Sequence, residues 1–230
     1  MISSSIPLEK TCNDCINSDY CYWKNGTTPD ETVCYYEEHP EFKDKNDKLN
    51  LKNKIKFSRI FSMPNSSTFE IAPIRNFVKK YLNNSKISID PFARNQEFAT
   101  YTNDLDPDTK AKYHLPAEEF LIKLKNDNIK ADLIIFDPPY SPRQISECYK
   151  NIGKKCNMED TQSGKLYSKI KNLINDLLEP QGHVLSFGWN SVGMGRKYNY
   201  LTEEILLVCH GGAHNDTICL SERKVLNQIF

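Results

Sequence analysis

The run Ala131-Asp-Leu-Ile-Ile-Phe136, closed by Asp137-Pro138-Pro139-Tyr140, constrains this chain more than any other stretch. A short apolar run bounded by a turn signal reads as a strand buried on both faces, and such strands belong to parallel sheets covered by helices. Two successive prolines cannot donate to a ladder, so the strand ends before them. The tetrapeptide then stands at a strand's carboxyl end, where open α/β sheets hold their ligands. Its atoms suit one kind of chemistry. An aryl amine is a poor nucleophile because its lone pair is delocalised into the ring. The Asp137 carboxylate can accept one amine proton and the Pro138 carbonyl the other, which frees the lone pair for attack on an electrophilic methyl. Pro138 and Pro139 stiffen the backbone that aims both acceptors, and Tyr140 offers a ring face to an extruded base. A strand that merely ends in a rigid turn is the alternative reading.

Other segments stand in order around it: Phe69-Glu-Ile71-Ala-Pro73-Ile74, then Asp90-Pro91-Phe92-Ala93, then Phe187-Gly-Trp189-Asn190, then the pair Glu204 to His210 and Asp216 to Lys224. Together they resemble the S-adenosylmethionine-dependent amino-methyltransferases, and most of all the small phage-type and archaeal-type DNA adenine methylases. The resemblance covers about residues 62–224. It implies an α/β fold with a Rossmann-like methyltransferase sheet, mostly parallel and ending in an antiparallel hairpin. It also implies methyl transfer from S-adenosylmethionine to the N6 amine of adenine in DNA, with Asp137, Pro138, Pro139 and Tyr140 as catalytic residues. The cofactor would be held by Phe69, Ile71, Pro73, Asp90, Pro91, Phe92, Ala93, Asp104, Ala117, Glu118 and Asp137. Asp104 follows the second strand, where a carboxylate can accept from ribose hydroxyls; turn-capping is its other reading. The chain departs from the family pattern in two places. Its cofactor loop, Asp90 to Asn95, lacks the glycines many relatives carry, and Pro116 replaces an aspartate that often reaches the cofactor adenine. Only about nine residues separate Asp90 from the strand expected at Thr100 to Asn103, too few for the usual crossover helix. The same chemistry on a cytosine amine or on RNA is the near alternative. A noncatalytic nucleic-acid-binding subunit is the alternative from another class.

The 230 residues, 39% of them hydrophobic, suffice for one α/β core and a small appended module. Zero formal net charge leaves no global field to draw the protein onto nucleic acid, so binding must use local patches. One patch runs from Lys43 to Arg59. Another follows the Asp-Pro-Pro-Tyr turn in a loop from Ser141 to Gly164, where Arg143, Lys154 and Lys155 are candidate phosphate contacts. Trp189 is a candidate wall for the base pocket, with a core tryptophan as the other reading. No stretch approaches the ~20 apolar residues of a membrane span, and a soluble, cytoplasmic protein is expected, or one of the host cytoplasm if viral. A partner subunit or a homo-oligomer stays open.

Four of the eight cysteines crowd into the first 34 residues: Cys12, Cys15, Cys21 and Cys34. In a reducing cytosol this grouping points to a structural zinc, which lets a segment too small for its own core fold. Unbound thiols or a redox cluster are the alternatives, and His39 can replace one ligand. The organisation expected is a cysteine-rich zinc module over 1–41, a basic linker or arm over 42–61, and a methyltransferase domain over 62–230. Within the last, apolar spacing predicts a helix from Pro73 to Leu82 and another from about Gly164 to Leu178, with a strand from Gly182 to Gly188. Gly193 to Lys197 reads as a flexible basic loop.

Overall fold

The computed structural model describes residues 10–11, 33–34, 55–139, 141–153, 163–195, 198–212 and 214–225. The chain divides into two compact units, one built on residues 1–53 and one on residues 54–228. In the first, β1 (Lys10–Thr11) pairs antiparallel with β2 (Val33–Cys34). Cys12, Cys15 and Cys21 lie outside the described residues, and Cys34 is described by its backbone alone.

The second unit is a mixed seven-stranded sheet with helices on both faces. Its strands are β3 (Lys56–Phe61), β4 (Ser88–Asp90), β5 (Tyr101–Thr102), β6 (Ala131–Phe136), β7 (Leu178–Gly188), β8 (Tyr200–Cys209) and β9 (Thr217–Lys224), in the order β3-β8-β9-β7-β6-β4-β5. Neighbours run parallel except at β9, which is antiparallel to both β7 and β8. This is the mostly parallel Rossmann-like sheet with a terminal hairpin that the resemblance implies. The hairpin turns through Gly211 and Gly212, whose φ values of 69° and 58° favour residues without a Cβ. Beside them the ring nitrogens of His210 are engaged by the protein itself: they hydrogen-bond the Ser62 carbonyl and the Thr217 hydroxyl, both at 2.9 Å.

β6 shows why the central run is apolar without alternation. Leu133 and Ile135 pack on one face with Ile74, Phe77 and Val78 of α1 (Ala72–Leu82). Ile134 and Phe136 pack on the other with Phe120, Leu121 and Leu124 of α2 (Ala117–Asn126) and Ile170, Ile174 and Leu177 of α4 (Ser163–Leu177). Successive strand residues point to opposite faces, so a strand covered on both must be apolar throughout. The two helices expected from periodicity fall within a residue or two of their predicted ends.

Four expectations are corrected. Lys56–Phe61, assigned to a basic arm, is the edge strand β3, parallel to β8 with Lys56 opposite Glu204 and Phe61 opposite Cys209. Phe57 and Phe61 stay 62% and 65% exposed, so no buried face marks the segment as a strand. Ladder bonds recruit it instead, with the Lys56–Glu204 ion pair at 3.1 Å and Arg59 Nε donating to Cys209 Sγ at 3.0 Å. The loop expected from Ser141 begins as a helix, α3 (Pro142–Asn151). Its start follows from Ser141 as N-cap, whose hydroxyl accepts the Gln144 N–H at 3.2 Å, and from proline in the first turn. β7 begins at Leu178, upstream of the expected Gly182, because Leu178 already pairs with Ala131; the register then shifts, with His183 opposite Leu133. The strand expected at Thr100 to Asn103 is shorter, Tyr101–Thr102, and Asn103 continues it as a parallel bridge to Tyr113. Residues 91–100 form turns with no helix, as the short spacing requires. Among the described residues no helix is long and apolar enough to cross a membrane.

Candidate active site

β4 and β6 are adjacent and parallel, and the chain leaves them in opposite directions: from β4 outward to β5, and from β6 through α3 and α4 to β7. Such a divergence opens a crevice above the carboxyl ends of the two strands. Asp90 ends β4 and Asp137 follows β6, so both aspartates selected from the sequence stand at this crevice.

Asp90 is buried, 1% exposed, and its Oδ1 accepts the Phe92 N–H at 3.0 Å. Burial pushes its carboxyl up to about 8, opposed by that hydrogen bond and reinforced by the negative charges of Asp137 and Asp104. At neutral pH the group is therefore mostly protonated. The loop after it is anchored by backbone bonds from Ala93 N–H to the Asn103 carbonyl and from Asn103 N–H to the Asp90 carbonyl, at 2.8 and 2.9 Å.

Arg94 explains how this loop does without glycine. Its φ of +49° lies in the left-handed region, which disfavours residues with a Cβ. Two bonds offset the strain: Arg94 N–H to Asp104 Oδ2 at 3.0 Å and Arg94 Nη1 to the Ser66 carbonyl at 2.8 Å. Asp104 Oδ1 also accepts the Asp106 N–H at 2.9 Å, so this carboxylate organises two turns at once. A carboxylate has about four acceptor positions, which leaves capacity for a hydroxyl.

Asn103, which sequence reasoning passed over in favour of Asp104, is fully buried. Its Nδ2 donates to the Pro91 carbonyl at 3.2 Å and the Leu115 carbonyl at 2.9 Å, while Oδ1 accepts the Leu115 N–H at 3.0 Å. One side chain thereby ties the Asp-Pro-Phe loop to the segment entering α2. An asparagine in a polar turn gives no sequence sign of this, because its partners lie twelve residues away on either side.

Phe69, Phe92, Ala93 and Asp137 share one cleft of about 50 Å³, together with Arg94 and the 3-10 turn Thr68–Glu70. Phe69 packs edge-on against Phe187 at 5.1 Å between ring centroids. The other cofactor candidates lie outside this cleft's lining. Ile71 enters the core on the α1 face, Pro73 opens α1, Ala117 opens α2, and Glu118 pairs with Lys169 at 3.3 Å. On the β6 side, Pro138 is buried and the Pro139 carbonyl accepts the Tyr167 hydroxyl. Tyr140, Lys154 and Lys155 lie outside the described residues. Arg143 is exposed on α3 and pairs with Glu147 at 2.8 Å. Trp189 follows β7 directly and is 45% exposed, so it is not a core tryptophan.

The loop after Trp189 is pinned where glycines had suggested flexibility. Buried Glu222 accepts the Met194 N–H at 2.7 Å, and Lys171 Nζ donates to the Gly193 carbonyl. Gly193 has φ +52°, and a Cβ there would collide with the Glu222 carboxylate. Burial pushes the Glu222 carboxyl up, against the opposing pull of the Met194 N–H, Lys171 and the Gly195 N–H.

No protein-family model matches the chain, and no curated protein matches it. Solved structures to which the chain is similar include SMU.776, a methyltransferase candidate in complex with SAH, at 12% identity and a TM-score of 0.47 over 65% of this chain and 48% of that one. TrmN from Thermus thermophilus is similar at 14% identity and a TM-score of 0.43, over 67% of this chain and 49% of that one. The N-methyltransferase NodS from Bradyrhizobium japonicum WM9 is similar at 10% identity and a TM-score of 0.39, over 66% and 94%. The chain spans about half the length of the first two, and at such values the likeness assigns no residue a role.

Proposed function

We propose that this chain transfers a methyl group from S-adenosylmethionine to the exocyclic amine of adenine in DNA. The observation that carries the reading is the Asp137-Pro138-Pro139 turn at the carboxyl end of β6, with Asp137 lining a cleft shared with Phe92 and Ala93 of the Asp90-Pro91-Phe92-Ala93 loop. A protein that only bound nucleic acid would have no use for an acceptor-rich turn beside a second, buried aspartate at a switch point.

The cleft of about 50 Å³ is large enough for only one end of the cofactor, and its residues suit that end. Phe69 and Phe92 give apolar ring surface, and Asp137 brings a carboxylate that suits a cationic sulfonium. S-adenosylmethionine, when bound, supplies an electrophilic methyl that needs no activation by the protein. The chain's own task is to prepare the amine. The Asp137 carboxylate accepts one amine proton and the Pro138 carbonyl the other, which turns the lone pair out of ring conjugation. Protonated Asp90 adds no second charge to that carboxylate's surroundings. Tyr140 stacks on the extruded base, and Trp189 walls its pocket. Asp104, Ala117 and Glu118 are proposed for the nucleoside end of the cofactor. Arg143, Lys154 and Lys155 are proposed for flanking phosphates, and Cys12, Cys15, Cys21 and Cys34 for a structural zinc.

Titration with S-adenosylmethionine separates an enzyme from a binding module, and base-modification sequencing of DNA from expressing cells separates adenine from cytosine. RNA methylation would leave that DNA unmodified while labelled methyl enters RNA. Asp137→Ala is expected to lower methyl transfer on the order of 10²-fold or more while S-adenosylmethionine still binds. Equal turnover in variant and parent would remove Asp137 from the mechanism.

A further inference from the structure

Tyr167, on α4, donates its hydroxyl proton to the Pro139 carbonyl and sets its ring edge-on against Phe136, at 6.3 Å between centroids and 87° between planes. Phe136 in turn packs on Phe92 of the opposite loop at 6.0 Å. Burial raises the phenol well above its ordinary range, so it remains a donor across the working pH range. The β6–β7 ladder stops at Phe136 opposite Ser186, and prolines 138 and 139 have no N–H of their own. The β6–β7 register therefore ends before the two prolines.

The torsions of the turn decide what that bond holds. The two pyrrolidine rings lock φ at Pro138 and Pro139. Asp137 and Pro138 each precede a proline, which holds both of them in extended ψ. The peptide bonds are trans. Among the backbone torsions from φ of Pro138 to ψ of Pro139, the last is the one left soft. It orients the Pro139 carbonyl, the group Tyr167 holds.

We infer that Tyr167 is a positioning residue: by holding the Pro139 carbonyl it fixes the last soft torsion of the Asp-Pro-Pro turn and anchors that turn, with Asp137, to α4. This rests on the methyl-transfer reading for its consequence in turnover, though not for its consequence in the turn itself. Tyr167→Phe keeps the ring on Phe136 and removes only the donor.

The test uses the full chain as parent, Tyr167→Phe and Asp137→Ala. Hydrogen exchange is followed over residues 140–145, S-adenosylmethionine affinity by titration, and methyl transfer with labelled cofactor on amplified, unmodified genomic DNA. Tyr167→Phe is expected to speed exchange in that segment several-fold, leave cofactor affinity within about twofold, and lower turnover at saturating cofactor by about tenfold, the worth of one buried hydrogen bond. A tyrosine that merely packs would shift thermal stability without this split between affinity and turnover. Unchanged exchange over residues 140–145 overturns the inference whatever the activity, and so does parental turnover in Tyr167→Phe. If parent and variants alike transfer no methyl while exchange still rises in Tyr167→Phe, the hold on the turn stands and the methyl-transfer reading is what fails.

Discussion

Single side chains decide the shape of the candidate site, and Asn103 and Asp90 make the clearest cases. Asn103 satisfies three backbone groups, one in a buried and two in a half-buried setting. Asn103→Leu should cost about 2–4 kcal/mol, as several unpaired buried groups add up, and should weaken S-adenosylmethionine binding in parallel. Urea unfolding with the same midpoint as the parent would show that those groups find other partners. Asp90 gives a pH signature. Its carboxyl holds a proton up to about pH 8 in the folded chain, whereas the unfolded chain releases it near pH ~4. Between those values the folded state binds more protons, so this group's contribution makes stability fall as pH rises from about 4 to about 8. Asp90→Asn mimics the protonated acid and keeps an acceptor for the Phe92 N–H. Thermal melts between about pH 5 and about pH 8 should therefore be flatter for the variant, and identical slopes would count against a proton on Asp90. The identity of Asp90 and Asp137 as site residues was legible because each closes a strand with a proline after it. The importance of Asn103, Arg94, Tyr167 and Glu222 was not, since each works through a partner elsewhere in the chain.

Among the elements, those with a strong period could be read directly. Ile74, Phe77 and Val78 recur at helical spacing and are buried on α1, and the same holds for Ile170, Ile174 and Leu177 on α4. β3 escaped because an edge strand exposed on both sides has no period to show. Glu204 supplies the missing reason for its place: it receives Lys56 from β3 together with Lys80 and Tyr81 from α1. Burial alone would raise the Glu204 carboxyl, and these three donors hold it below the usual range instead. Arg143 on α3 and two lysines further along the chain carry the test of nucleic-acid binding. Neutralising Arg143, Lys154 and Lys155 together should weaken DNA binding and flatten its salt dependence, the log-log slope falling by up to ~0.9 for each phosphate that is no longer neutralised. Arg143 pairs with Glu147 on its own helix, so that ion pair has to open before Arg143 meets a phosphate. Unchanged affinity and slope in the triple variant would move the search for a DNA surface to the cysteine-rich unit.

At the scale of the molecule, the cysteine-rich unit and the sheet should answer differently to a chelator. Clustered thiolates substitute metal-ligand free energy for a hydrophobic core, so anaerobically purified protein is expected to hold about one equivalent of zinc. Chelation should then loosen the first ~40 residues before the sheet melts; metal analysis finding no zinc rules this out. Residues 131–140 by themselves determined that a buried parallel strand ends in a rigid, acceptor-rich turn, because apolar continuity and proline geometry are local properties of the chain. They determined nothing about what holds that turn. The bond from Tyr167 to Pro139 joins residues 28 apart, and the Lys80–Glu204 pair joins residues 124 apart. Such contacts exist only once helices have packed on the sheet, and many tyrosines and lysines would serve equally until the fold selects one. Only the tertiary structure could bring Asp90 out of water and beside Asp137, since desolvation is a property of the surroundings and not of the residue.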